Sequence, residues 1–192
     1  MKIIPKNNLL TFSLPLPIYK SVQIADAIGQ DGEEFGVLVG LDKGHVEQLK
    51  DFSMNEDDVD LQKNTGDRVR FGVGSYDDWY AKNRTPFCLI HKQTDALAAL
   101  VWLGPLPLYE DKNNWHTAGW RSYNPFRGKG LMRTFSNFCI NFYLENMNRV
   151  ENNIKLWAAV KRGNTGSLGL ATGLGFQVLE EASDDESLVM VK

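Results

Sequence analysis

Two uninterrupted apolar runs, Pro86 to Lys92 and Ala96 to Leu103, stand three polar residues apart, and that spacing constrains the fold more than any other feature of the chain. Each run has strand length, and Gln93-Thr94-Asp95 has the length and polarity of a hairpin connection, so the two pair antiparallel. Thr117 to Tyr123 is a candidate third strand of the same meander, ended by Pro125. From Arg127 the apolar period changes to that of a helix: Leu131, Phe135, Phe138, Cys139 and Phe142 form one stripe running towards Met147, which predicts the longest helix of the chain.

The flanks extend this pattern in both directions. Phe35 to Leu41 reads as a strand and Gly44 to Phe52 as a helix carrying Val46, Leu49 and Phe52 on one face. The acidic run Asn55 to Asp60 reads as a solvated face rather than a metal site. Ser75 is placed to cap a short helix containing Asp77, Asp78 and Trp79. Beyond the long helix, Ile154 to Val160 has strand length, a helix opens at Asn164 and ends at Gly173 and Gly175, and Phe176 to Leu179 and Leu188 to Val191 are strands around an acidic turn. Near the amino terminus Leu10, Phe12, Leu14, Leu16 and Ile18 alternate with polar residues or Pro, as in an edge strand or a docked arm. Residues 1–34 are therefore assigned as an arm or edge strand of the same unit, and residues 35–192 as one domain, in keeping with a length of 192 residues.

A net charge of -3 gives no electrostatic footprint for nucleic acid, so any anionic ligand must be met by local positive charge. Cys88 and Cys139 lie in apolar stretches and read as reduced core residues. No window is long and apolar enough to span a bilayer, and Pro5, Pro15 and Pro17 interrupt the apolar amino terminus. A soluble, cytoplasmic protein without a membrane partner or a metal is expected.

Local positive charge is found at Arg127-Gly128-Lys129-Gly130-Leu131, a turn between a strand and a helix. The first turn of a helix has N–H groups without intrahelical partners and the positive end of the helix dipole, so an anion is favoured there. Gly128 and Gly130 remove side chains from the approach, while Arg127, Lys129 and Arg133 add charge, and Lys161 and Arg162 stand at the end of the next strand. The alternative is a glycine-eased turn with solvated basic residues. The run is neither a P-loop, which needs G-x-x-x-x-G-K-S/T, nor a dinucleotide fingerprint, because Arg133 stands where the third glycine is required. Downstream, Asn164, Ser167, Leu170, Gly175 and Phe176 form N-x-x-S-x-x-L-x-x-x-x-G-F directly after an apolar strand.

In residues and order, the two motifs together resemble the GNAT superfamily of acyl-CoA N-acyltransferases, specifically over 117–179. The resemblance implies an α/β (α+β) fold with a mixed, mostly antiparallel sheet of six to seven strands, helices on both faces, and a splay between the two central parallel strands. It implies a cradle for the pyrophosphate of acetyl-CoA, or another acyl-CoA, at Arg127, Gly128, Lys129, Gly130, Leu131, Met132 and Arg133, with Met132 where the family has Gly or Ala. Trp120, Arg121, Ser122 and Tyr123 would be the strand edge along which the pantetheine arm lies, with Asn164 and Ser167 beside it. A backbone N–H near Ser122 or Tyr123 is the implied oxyanion donor, and Tyr123 is a candidate catalytic side chain. Ala171 stands where many members have an acidic Tyr. His91 and His116 read as packing or hydrogen-bonding residues. Asp77, Asp78 and Trp79 fall where the family lines its acceptor cleft, although a capped surface helix with Trp79 buried fits them equally. The implied partner is a small-molecule or peptide amine, the implied state a monomer or homodimer, and the alternative to an enzyme is a CoA-binding sensor or interaction module with the same fold.

Overall fold

The hairpin forms between β4 (Thr85–His91) and β5 (Ala96–Pro105), with register from Thr85↔Leu103 to His91↔Ala96. β4 is buried at every position because it lies mid-sheet with helices over both faces. These are features of the computed structural model, which describes residues 1–6, 13–109, 114–147 and 149–192. Around the hairpin are β1 (Lys2–Pro5), β2 (Val22–Ile28), β3 (Glu34–Val39), β6 (Trp115–Ser122), β7 (Lys155–Lys161), β8 (Gln177–Val178) and β9 (Ser187–Val191). Among the described residues they form one nine-stranded sheet in the order β1-β2-β3-β4-β5-β6-β7-β9-β8. Every neighbouring pair is antiparallel except β6 and β7.

The mixed, mostly antiparallel α/β sheet expected from the motifs is therefore present, and β1 and β2 carry it beyond six to seven strands. Val-Gln-Ile-Ala-Asp-Ala-Ile of β2 offers a weak period, since small Ala25 and Ala27 do the inward packing that larger residues would advertise. The stronger alternation at 10–18 is not a strand where it is described: Leu14 and Leu16 pack against the core from outside the sheet, and Leu10 and Phe12 lie outside the described residues.

Helices cover the two faces. On one face lie α1 (Lys43–Met54), α2 (Val59–Asn64), a π-helical turn at Arg68–Val73, and α3 (Tyr76–Tyr80). They bury Leu49, Leu61, Phe71, Tyr76 and Trp79 against Leu97, Trp102 and Tyr123. Side chains start these helices: Asp42 accepts from the His45 amide, Asp58 from that of Leu61, and Ser75 from those of Asp77 and Asp78. On the other face, α4 (Met132–Met147) and α5 (Thr165–Gly173) press Phe135, Cys139, Phe142 and Ala171 onto Phe87, Val101 and Trp120. Both cysteines are buried and unbridged. No described helix is long and apolar enough to cross a membrane.

The feature that makes room for a ligand is the parallel pair. β6 and β7 are bonded only from Trp115↔Lys155 to Thr117↔Trp157 and then part. β7 continues beside β9, which pairs with it from Trp157↔Val191 to Lys161↔Ser187, and among the described residues the edge of β6 from Ala118 onward has no strand beside it.

Opposite Gly119 on β5 stands Trp102, whose indole lies across the space a side chain would occupy: a Cβ at Gly119 would fall 2.2 Å from Trp102 Cζ2. Phe71 and Trp79 hold that ring edge-on at 6.2 and 6.1 Å, so it cannot swing aside freely. Gly119→Ala is expected to destabilise the protein by about 1–3 kcal/mol through overpacking. Thermal melts followed by near-ultraviolet circular dichroism read this as a lower melting temperature with an altered Trp signal; an unchanged melt would show that the indole yields without cost.

Candidate active site

Hydrogen bonding fixes which peptide groups of β6 face the gap. The Tyr123 amide donates to the Ala98 carbonyl at 3.0 Å and the Leu106 amide to the Trp115 carbonyl at 3.0 Å. Odd-numbered groups of β6 therefore bond β5, and the even-numbered ones, Trp120 and Ser122, point towards β7 where the strands have parted. Their carbonyls are met by guanidinium groups: Trp120 O accepts from Arg121 Nη1 at 2.7 Å, and Ser122 O from Arg127 Nε and Nη2 at 3.3 and 3.1 Å. Ser122 keeps its N–H on the open edge. The amide of Tyr123 is committed to β5, which corrects its expected role as an alternative oxyanion donor.

After β6 the chain turns through Tyr123, whose carbonyl accepts from the amides of Phe126 and Arg127 at 2.8 and 3.0 Å. Gly128 and Gly130 have φ of 83° and 70°, a left-handed conformation that other residues adopt at a cost. Helix α4 consequently starts at Met132, later than the sequence period predicts. The Phe135 amide makes the first intrahelical bond, to the Leu131 carbonyl, so the amides of Met132, Arg133 and Thr134 have no acceptor within the helix. The approach is open: a Cβ at Gly128 would have no protein atom within 4 Å, and one at Gly130 would meet only Gln30 Oε1 at 3.8 Å.

The basic side chains of the turn are already paired. Arg127 forms a two-pronged ion pair with Asp58, the cap of α2, at 2.7 and 2.6 Å. That bond holds the Asp58 carboxyl below its ordinary value and the Arg127 guanidinium above its own. Lys129 Nζ reaches Glu33 at 2.6 Å and Asp31 at 3.5 Å, and the Glu33 contact raises its pKa. Arg133 donates to the Gly173 carbonyl at 3.2 Å. The acidic run at 55–60, expected to be a solvated face, thus delivers one carboxylate, Asp58, whose side chain is 10% exposed.

A cavity of about 510 Å³ opens between the β6 edge, the glycine turn, α5 and α2. Of the residues expected to hold a cofactor, Trp120, Arg121, Ser122, Arg127, Gly128, Met132, Asn164 and Ser167 line it. Tyr123, Lys129, Gly130, Leu131 and Arg133 do not. Asn164 is committed locally, its Oδ1 capping α5 through the Ser167 amide at 3.0 Å, and the Trp120 indole donates to Ser167 Oγ at 2.7 Å. The wall that sequence reasoning missed is Asp60, Leu61, Asn64 and Thr65 on α2 and its end. Nothing in a six-residue helix with one buried residue signals that it will close a cavity. Lys161 Nζ donates to the Lys63 carbonyl at 2.7 Å and ties this wall to the end of β7, while Arg162 turns to the Asp184 carbonyl.

Four residues expected in catalysis or acceptor binding, Tyr123, Asp77, Asp78 and Trp79, stand outside this cavity. The Tyr123 ring stacks on Phe52 at 4.5 Å, its hydroxyl is enclosed with no hydrogen-bond partner among the described residues, and burial pushes its pKa well up. The ring lies on the α1 face of the sheet and does not line the cavity. Trp79 is buried in the aromatic cluster with Phe71, Tyr76 and Trp102, and Asp78 is exposed. Asp77 accepts from Tyr19 and lines a separate cavity of about 270 Å³ between α1 and α3. His116 is buried against Tyr143 Oη at 2.6 Å and Glu151 at 3.2 Å, with burial lowering its pKa, and His91 meets Thr94. Both act in packing and hydrogen bonding. Ala171 is fully buried.

No family model and no curated protein matches the sequence. Solved structures do match. The chain is similar to an acetyltransferase of Agrobacterium tumefaciens, with 17% identity, a TM-score of 0.60, and 97% of this chain and 99% of that one covered. It is similar to the ribosomal-protein-S5-alanine acetyltransferase of Vibrio fischeri, with 18% identity, a TM-score of 0.57, and 81% and 92% covered. It is also similar to the spermidine N-acetyltransferase of Vibrio cholerae in complex with CoA and spermine, with 16% identity, a TM-score of 0.57, and 81% and 94% covered.

The Asp58–Arg127 pair gives a pH signature. A carboxylate with a depressed folded pKa adds stability that is present above its ordinary value of 3.8 and is lost as pH falls through the lower folded value. Asp58→Asn keeps a helix cap but removes the charge, and is expected to cost about 1–2 kcal/mol at pH 7. Urea titrations at stepped pH should show the difference from the unsubstituted protein shrinking below the ordinary carboxylate value; a difference that persists at pH 2 would assign the loss to something other than the ion pair.

Proposed function

We propose that this chain, which has the GNAT acetyltransferase fold, is an acyl-CoA-dependent N-acyltransferase that moves acetyl from acetyl-CoA to a primary amine by direct attack in a ternary complex. The observation that carries the reading is a single cavity uniting an unpaired strand edge, at Trp120 and Ser122, with a glycine turn before a helix start. These residues fit the thioester ligand. The open approach at Gly128 and Gly130 and the orphan amides of Met132, Arg133 and Thr134 suit a diphosphate, whose charge the helix dipole favours. The β6 edge suits an amide-bearing arm laid alongside it as an added strand.

When bound, acyl-CoA supplies an activated acyl group with a thiolate as leaving group. The protein orients it, and the Ser122 amide, held rigidly by the β5–β6 ladder, is aimed at the gap where an oxyanion develops. Among the described residues Asp60 is the only carboxylate that lines the cavity, and it is exposed, which suits it to take a proton through water from the acceptor's ammonium group and so leave the neutral amine that attacks the thioester. Arg127 has a second role in this reading: its guanidinium holds α2 through Asp58 and the strand edge through Ser122 O, and so fixes the width of the entrance.

A second reading, a CoA-binding sensor without turnover, is favoured by one observation: among the described residues no Tyr, His, Cys or Lys lines the cavity, and Ala171 leaves no hydroxyl at the position on α5 implied for an acid. Calorimetry with CoA and acetyl-CoA, followed by thiol release with a panel of amines, separates the two. An acyltransferase binds both and releases thiol, with Asp60→Asn lowering kcat at least tenfold and raising its pH dependence while CoA affinity is retained. Binding without thiol release from any amine selects the sensor. Gly130→Val, which forces a β-branched residue into φ of 70°, is expected to weaken CoA at least tenfold; full affinity in a folded Gly130→Val protein would remove the turn from the binding site.

A further inference from the structure

Behind the β6 edge lies a charged cluster that the reading above does not use. Asp67 is fully buried and bonds two arginines at once: Arg121 through Nε at 2.6 Å and Nη2 at 3.0 Å, and Arg70 through Nη1 at 2.7 Å. Both guanidinium groups lie over the Trp102 indole, with Cζ 4.8 Å from the ring centroid for Arg121 and 5.4 Å for Arg70. A cation over an indole face is stabilised by the ring quadrupole, which lets two like charges sit close together. One carboxylate serves two cations here. At the Arg127 end of the cavity the balance is reversed, because Asp58 and Asp60 both act on a single guanidinium. Positive charge is therefore in excess at the Arg121 end and not at the Arg127 end.

Donor accounting points the same way. Arg121 uses Nε, one N–H of Nη2 and one of Nη1, on Asp67 and the Trp120 carbonyl. A guanidinium carries about five N–H groups, so its fork still has donors to give. Arg121 lines the cavity, and its side chain is only 17% exposed. Among the described residues Asp67 is the sole acceptor of the Arg70 guanidinium. A planar fork with spare donors, half-sheltered from water and backed by a second cation, is the arrangement that binds a carboxylate.

We propose that Arg121, supported by Arg70 and oriented by Asp67 and Trp102, binds a carboxylate group at the gap end of the cavity. The carboxylate is carried either by the acyl group of the thioester or by the acceptor amine. This rests on the acyltransferase reading for the reaction in which the group takes part, but the site itself is a property of the cluster. Arg70 and Asp67 are positioning residues, since each acts through the Arg121 guanidinium.

The test is calorimetry in two arms. In the first, acetyl-CoA is compared with succinyl-CoA, which adds a terminal carboxylate to the acyl group. In the second, alanyl-alanine is compared with its carboxyl-terminal amide in the presence of saturating CoA. A preference of at least tenfold for the carboxylate in the first arm places it on the acyl group, and in the second on the acceptor. The preference ratio should fall towards unity in Arg70→Met and be partly restored in Arg70→Lys, a pattern that a merely structural loss would not follow. Parity in both arms overturns the proposal, and so does a preference that Arg70→Met leaves intact. If Arg70→Met does not give a cooperative melt, Arg121→Lys carries the comparison: loss of the fork should cut the preference at least threefold, and an undiminished preference rejects the site. If CoA itself does not bind, the acyltransferase reading fails separately, and the dipeptide arm run without CoA still decides for or against the carboxylate site.

Discussion

The structure depends on the parting of two parallel strands after three residue pairs. Had β6 and β7 stayed bonded, the peptide groups of Trp120 and Ser122 would be spent on the ladder and there would be no cavity. Beyond that point β7 stays in the sheet through its other edge, which β9 bonds over Trp157 to Lys161. On the open side, α2 and the first turn of α5 fill the wedge without closing it. An open strand edge inside a protein is costly unless its polar groups are met, and here Arg121 and Arg127 meet the two exposed carbonyls from within the chain.

That self-capping explains why the local charge of the turn is not displayed as free cations. Arg127 and Lys129, which a reading of sequence assigns directly to an anion, are each held by acidic residues distant in sequence, Asp58 and Glu33. In the proposed reading a diphosphate at this turn would meet amides and a helix end first, with the guanidinium and ammonium groups already paired. The proposed recognition through backbone groups agrees with the geometry of Gly128, whose open face meets no described protein atom within 4 Å, and of Gly130, which meets only Gln30 Oε1 at 3.8 Å. In the proposed reading α2 takes part in binding, since any shift of Arg127 towards a ligand would loosen Asp58 and with it the cap of the helix that forms one wall.

How much of this was legible in the sequence follows from the range of the interactions. The hairpin, the third strand, α4 and α5 announce themselves through local periods and caps: Ser75, Asn164 and Gly175 do locally what their types predict. The glycine turn was legible for the same reason. Strand β2 was not, because Ala25 and Ala27 are too small to mark a buried face, and the roles of Asp58 and Asp67 were not, because the arginines that join them to the strand edge, Arg127 and Arg121, stand 69 and 54 residues away. Tyr123 shows the limit most plainly. Its place beside the turn suggested chemistry, but strand alternation sends its ring to the face of α1, and only the register of β6 against β5 settles that parity.

The same register ties the fold to the charged cluster. Because Trp102 pairs with Gly119, its indole lies flat across β6 instead of being lifted by a side chain, and that flat ring is what Arg121 and Arg70 rest upon. A shift by one residue would bring Ala118 or Trp120 under the indole and turn Arg121 to the opposite face, away from Asp67. The buried carboxylate would then be left with one partner, at a cost of several kcal/mol. The hairpin that most constrains the fold thus also fixes where the cavity is positive, and the electrostatics of the site are a consequence of strand pairing rather than an addition to it.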